Sequence, residues 1–185
     1  MKSILISIKP KYVADILNGE KTIEIRKTMP KCDFPIDVYI YCSKGKKNWH
    51  LLEVENHEYE YDYYIGSKEY GCEMDGKVVA KFTLRKVEEI VYQGETYFTK
   101  SLKEQELMNK SRLNFSNIDC YLRELNGYAW HIDNLVIFDE PKELNEFVKC
   151  DDKHIRIGNC FIGFGGIPRL TKAPQSFMYI ETEDK

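Results

Sequence analysis

The sequence predicts an α+β fold: a mostly antiparallel, barrel-like sheet with helices packed at its ends. Three observations lead there. Segments with two-residue apolar alternation recur along the whole chain. Helical patterns are few and short. Most neighbouring strand segments lack the crossover helices that a doubly wound parallel sheet requires.

The elements follow in order. In "SILISIK", Ile4, Ile6 and Ile8 alternate with Ser3, Leu5 and Ser7, which predicts a strand. "PKYVADILNG" predicts a helix, with Pro10 in its first turn, an apolar stripe of Val13, Ile16 and Leu17, and Gly19 at its stop. "KTIEIRK" returns to strand, Ile23 and Ile25 on one face and Thr22, Glu24 and Arg26 on the other. "PIDVYIYC" sets Ile36, Val38 and Ile40 against Asp37, Tyr39 and Tyr41. Residues 43–76 are charged, Tyr-rich and bounded by glycine, and read as an insertion, in the form of a hairpin. "KVVAKFTLRKVEEIVY" reads as one long strand after the Asp75-Gly76 turn, with Val78, Ala80, Phe82 and Leu84 on one face.

Two helices come next. "SLKEQELMNK" offers a capping box at Ser101 and Glu104. "SNIDCYLRELNG" offers Ser116 as cap, a stripe of Ile118, Tyr121, Leu122 and Leu125, and Gly127 as stop. "YAWHIDNLVIFD" reads as a single strand, "EPKELNEFV" as a short helix or turn, and "SFMYIE" as a final strand.

Composition narrows the function classes. The chain has 185 residues, 43% hydrophobic and 31% charged, with 13 tyrosines, as a globular domain would have. No apolar run is long enough for a membrane span, and the short apolar start reads as a strand rather than a signal peptide, so a cytoplasmic protein without a membrane partner is expected. The net charge of −3 argues against coating long nucleic acid. It hides an asymmetry: residues 1–50 are strongly basic and residues 51–76 strongly acidic. The basic part could attract phosphate. The acidic part is by default a solvated loop, and alternatively a contact for a basic protein. None of the six cysteines forms a C-x-x-C pair. Cys150, His154 and Cys160 form a loose cluster that matches no common zinc spacing, so free thiols, no metal and no cofactor are expected.

Glu24 and Arg26 are unusual on so short a strand. Read from spacing alone, they form a lateral surface pair worth about 0–1 kcal/mol. Yet "GEKTIEIR" resembles the G-x-K-x-x-E-x-R signature of ASCH domains, members of the PUA-like superfamily, at Gly19, Lys21, Glu24 and Arg26. The preceding strand and helix fit that family. "GKVVAKFTL" resembles its next core strand, and "GYAWHIDNLVIFDEPKEL" and "APQSFMYIE" resemble the closing regions of longer phage and Gram-positive bacterial members. The resemblance implies a PUA-like barrel over residues 1–147, carrying the insertion at 43–76, with residues 148–185 as an extension packed on the same domain.

It also implies a cleft beside the signature strand that binds RNA or a modified nucleoside. Lys21 and Arg26 would supply charge there, and Glu24 orientation and base hydrogen bonding. Lys9 could add charge, Trp130 a stacking surface, and His131 a hydrogen bond or proton transfer, although a core Trp fits the one equally well and a structural His fits the other better. Some members remove the acetyl group from acetylated cytidine, using the signature Lys, a Thr on the same strand and a later Glu. Here Glu24 occupies the Thr position, and "NKSRLNFS" offers no clear later Glu. Lys21 is the catalytic candidate if the chain is an enzyme. A metal-dependent ribonuclease and a protein-interaction module acting through the acidic insertion are the further readings.

Overall fold

The computed structural model describes residues 1–44, 74–150 and 169–182 in full. In this structure the first sheet has six strands. They are β1 (Lys2–Ile8), β3 (Ile36–Cys42), β8 (Val78–Leu84), β12 (Asp133–Lys142), β13 (Val148–Lys149) and β16 (Phe177–Glu181), in the order β12-β8-β3-β1-β16-β13. The second sheet has four: β2 (Ile23–Arg26), β9 (Val87–Gln93), β10 (Thr96–Thr99) and β11 (Gly127–His131), in the order β10-β9-β11-β2. β1 and β3 pair in parallel, with helix α1 (Pro10–Leu17) and β2 between them in the chain; every other strand pairing among the described residues is antiparallel. Between residues 44 and 74 only backbone strands are described, as two antiparallel pairs: β4 (Leu51–Val54) with β5 (His57–Glu60), and β6 (Tyr63–Ile65) with β7 (Lys68–Tyr70). β14 (Ile155–Ile157) and β15 (Cys160–Ile162) form a third such pair. The side chains of the Tyr-rich insertion and His154 of the cysteine cluster lie outside the described residues.

Two predicted strands prove to be two strands each, and their breaks make the barrel. "KVVAKFTLRKVEEIVY" passes from the first sheet to the second at Arg85-Lys86, and "YAWHIDNLVIFD" does so at Ile132. The β8–β12 ladder ends at Thr83↔Asp133, and the β9–β11 ladder resumes at Val87↔Trp130. One hairpin ladder therefore bends around a corner and belongs to both sheets. A bulge also shifts the predicted face of β8. Ile40 pairs with Ala80 but Tyr41 with Val78, so Val79 is the extra residue. Val79, Ala80, Phe82 and Leu84 face the core, while Val78 turns to the opposite side with Leu5 and Tyr41.

The main core lies inside this bend. Ile4, Ile6 and Ile8 of β1, Val38 and Ile40 of β3, Val13, Ile16 and Leu17 of α1, and Trp130 pack together there. A second core lies on the far side of the smaller sheet. Ile23, Ile25, Ile90 and Ala129 meet Leu107 of α2 (Glu104–Ser111) and Ile118 and Leu122 of α3 (Phe115–Leu122).

The caps differ from those expected. Helix α2 starts after Lys103 without a side-chain cap, because the Ser101 hydroxyl is engaged with Glu88. Asn114, not Ser116, caps α3, accepting from the Asn117 amide at 2.8 Å. Helix α3 ends at Leu122 with Arg123 in the left-handed region, leaving Leu125 exposed. Gly127 is not a helix stop. It opens β11 where a Cβ would lie 2.7 Å from the buried Leu122 side chain and 3.1 Å from the Arg26 carbonyl.

Candidate functional site

β2 is buried on both faces, which no surface strand would be. Ile23 and Ile25 enter the second core. Glu24 and Arg26 point the other way, into the bend, beside their cross-strand partners Trp130 and Tyr128. The signature strand thus carries its charges inward.

Those charges neutralise one another locally. Glu24 lies 3.2 Å from the Lys21 ammonium through one carboxylate oxygen and 3.1 Å from the Arg26 guanidinium through the other. Lys21 is 2% exposed, Glu24 9% and Arg26 5%. Desolvating three charges is tolerable only if each is paired and hydrogen-bonded, and the fold provides this. Lys21 donates to the Ser111 carbonyl at 2.6 Å, at the negative end of α2. The neighbouring Thr22 amide bonds the Lys110 carbonyl, fastening β2 to the same helix end. Arg26 donates to the Ser7 carbonyl at 2.7 Å and to the Ser176 carbonyl at 3.4 Å, tying β2 to the end of β1 and to the segment entering β16. Burial holds the Lys21 pKa below its ordinary value, and the Glu24 charge opposes that fall.

Lys21, Glu24 and Arg26 line a cleft of about 630 Å³, within the size range of small-molecule sites. Tyr12 of α1 and Tyr121 of α3 contribute aromatic walls, and Ala173, Pro174 and Gln175 close one side. Burial raises the pKa of both tyrosines. Glu24 adds to the rise at Tyr12, and at Tyr121 Arg26 opposes it. Lys9 also lines the cleft and is exposed at its rim. Lys27 sits 5.1 Å over the Tyr121 ring. Nothing in the sequence singles out Tyr12 or Tyr121 as site residues. Tyr121 reads there as part of an apolar stripe, and only its exposed position beside the signature strand marks it out.

Two expected site residues lie elsewhere. Trp130 is fully buried, edge-on to Phe177 with ring centroids 5.2 Å apart, and presents no face to a ligand. His131, one residue on, points to the opposite face of β11 and lies 2.7 Å from Glu88. Glu88 also accepts from Ser101 at 2.8 Å and pairs with Lys86 at 2.9 Å. Burial opposes ionisation of Glu88, but hydrogen bonds from Lys86, Ser101 and His131 outweigh it and bring its pKa down to about 2.

A depressed carboxylate pKa stabilises the fold above the unfolded-state value, and that contribution is lost as pH falls through the folded value. Glu88→Gln is therefore expected to lower stability at pH 7. The gap to wild type should narrow between pH 4.5 and about 2. Urea titrations at a series of pH values would show it, and a gap independent of pH would contradict this account of Glu88. Among the described residues, no group of His, Cys, Asp and Glu is arranged to hold a metal ion, and no helix is long and apolar enough to cross a membrane.

No family model matches the chain, and no curated protein does. Solved structures do. A serine-to-alanine mutant of the ASCH protein from Zymomonas mobilis aligns with a TM-score of 0.52 and 14% identity, over 97% of this chain and 88% of that one. The ASCH crystal structure from the same organism aligns at a TM-score of 0.48 and 12% identity, over 97% and 87%.

Proposed function

We propose that this chain, which has the α+β, PUA-like fold of an ASCH domain, recognises a single nucleoside, free or as an unstacked base of an RNA strand, in the cleft beside β2. One observation carries the reading: a buried, pre-ordered Lys21–Glu24–Arg26 triad faces a Tyr-walled cleft. Base recognition needs polar groups fixed in direction and flat apolar walls to stack on. Lys21 and Arg26 are already paired and almost inaccessible, so they suit a ligand edge better than a run of phosphates. Phosphate attraction falls to the rim, where Lys9 and Lys27 are exposed.

The test is equilibrium binding of nucleosides, short single-stranded RNA and matched DNA at two salt concentrations. Binding by RNA or nucleoside, weakened roughly tenfold to a hundredfold by Tyr121→Ala, is expected from the value of one stacking partner. Undiminished affinity in that variant would remove the cleft from the account.

The depressed pKa of Lys21 supports a second reading, an amidohydrolase in which its neutral amine attacks or deprotonates. Against it, Glu24 is the one carboxylate among the described residues lining the cleft, so a separate acid is missing. The same shortage weighs against a metal-dependent ribonuclease, which gathers several carboxylates. Acetylcytidine left intact by excess protein would retire the amidohydrolase reading.

A further inference from the structure

Resting on that reading, we infer that the cleft selects guanine. Each oxygen of Glu24 is engaged once, one by Lys21 and the other by Arg26. Among the described residues no further donor reaches either oxygen, so each keeps a free lone pair at the cleft. A carboxylate held in this way accepts two parallel hydrogen bonds and donates none. Lys21 carries three N–H donors. One goes to the Ser111 carbonyl and one to Glu24, which leaves the third on an ammonium that lines the cleft and lies 5.5 Å from the Tyr12 ring centroid.

From Lys21 across Glu24 the wall therefore reads donor, acceptor, acceptor. The complementary ligand edge is acceptor, donor, donor. The Watson–Crick edge of guanine has that order in O6, N1–H and the N2 amine. Cytosine and adenine put a ring-nitrogen acceptor beside their single amine, and that acceptor would meet a carboxylate oxygen. Uracil offers one N–H between two carbonyls, so a carbonyl would meet the second oxygen. Inosine keeps O6 and N1–H but lacks the amine. Arg26 gives its terminal N–H groups to Glu24, Ser7 and Ser176 and keeps its Nε buried without a partner among the described residues, so it fixes the carboxylate plane and does not need to touch the base. It is a positioning residue.

The experiment is calorimetric titration of the wild-type chain with guanosine, inosine, 1-methylguanosine, adenosine, cytidine and uridine. Guanosine is expected to bind about tenfold tighter than inosine, since one hydrogen bond to a charged group separates them. Adenosine, cytidine and uridine should fall about a hundredfold below guanosine, because each loses bonds and gains an acceptor–acceptor clash. Methylation at N1 should abolish binding. Equal affinity for inosine and guanosine, or a preference for cytidine, adenosine or uridine, would overturn the guanine assignment and leave nucleoside recognition standing. Absence of binding by every nucleoside would overturn both.

Discussion

Glu24→Ala is expected to destabilise the fold by about 3–5 kcal/mol, the usual cost of leaving a buried charge without its partner. Here two cations lose the same carboxylate. Lys21 has the easier escape, because its pKa is already depressed by burial and Glu24 is what holds it up. Without Glu24 the amine loses its proton more readily in the folded state, while the unfolded chain keeps the ordinary value of 10.5. The unfolded state then binds more protons, so stability rises with pH within the window below 10.5. The penalty should accordingly be larger at pH 6 than at pH 9. Replacing Lys21 by Met in the same chain should recover part of it, by removing one of the two stranded charges. Guanidinium titrations of the single and double variants at both pH values decide the matter. A penalty under about 1 kcal/mol would mean that the triad behaves as an exposed pair.

Trp130→Ala carries the second large effect, about 3–5 kcal/mol, as for other fully buried aromatic residues. The indole fills the bend between the two sheets against Phe177 and lies opposite Glu24 across the β11–β2 ladder. Its loss leaves a cavity directly beneath the carboxylate. Trp130→Phe should cost less, since it keeps an aromatic body at the same place. Thermal unfolding of both variants, together with ligand affinity for the conservative one, separates packing from contact. A Trp130→Ala protein of undiminished stability that no longer binds ligand would restore the stacking role that its burial denies.

Much of this architecture is legible in residue order, and the misses share causes. Ile4, Ile6 and Ile8, or Val13, Ile16 and Leu17, declare their faces because each element has one buried side. On β2 the alternation separates Glu24 and Arg26 from Ile23 and Ile25 correctly, but nothing local says that both faces are buried. That follows from α2, α3 and the segment entering β16, all placed against β2 from far along the chain. The corners at Arg85-Lys86 and Ile132 are nearly as silent, since neither carries a Gly or Pro. Ser101 looks like a cap until Glu88 competes for its hydroxyl. Trp130 was equally readable as core or platform, and its position opposite an inward-facing carboxylate decided between them. Tyr12 and Tyr121 lie 109 positions apart in the chain, on different helices, so their meeting at one cleft is a property of the fold alone.

The pairing of β1 with β16 has a consequence for how the molecule comes into being. β1, its register running from Lys2↔Glu181 to Ile6↔Phe177, waits for the distant β16 before its second edge is covered. On a ribosome the N-terminal segment would emerge long before its partner exists, with β1 as an open edge able to pair with a neighbouring nascent chain. Contacts of such high sequence separation also slow closure, because the loop entropy must be met before the pairing rewards it. The Arg26 bonds to Ser7 and Ser176 span the same gap. A chain that stalls before residue 176 would therefore have the signature strand but no finished cleft.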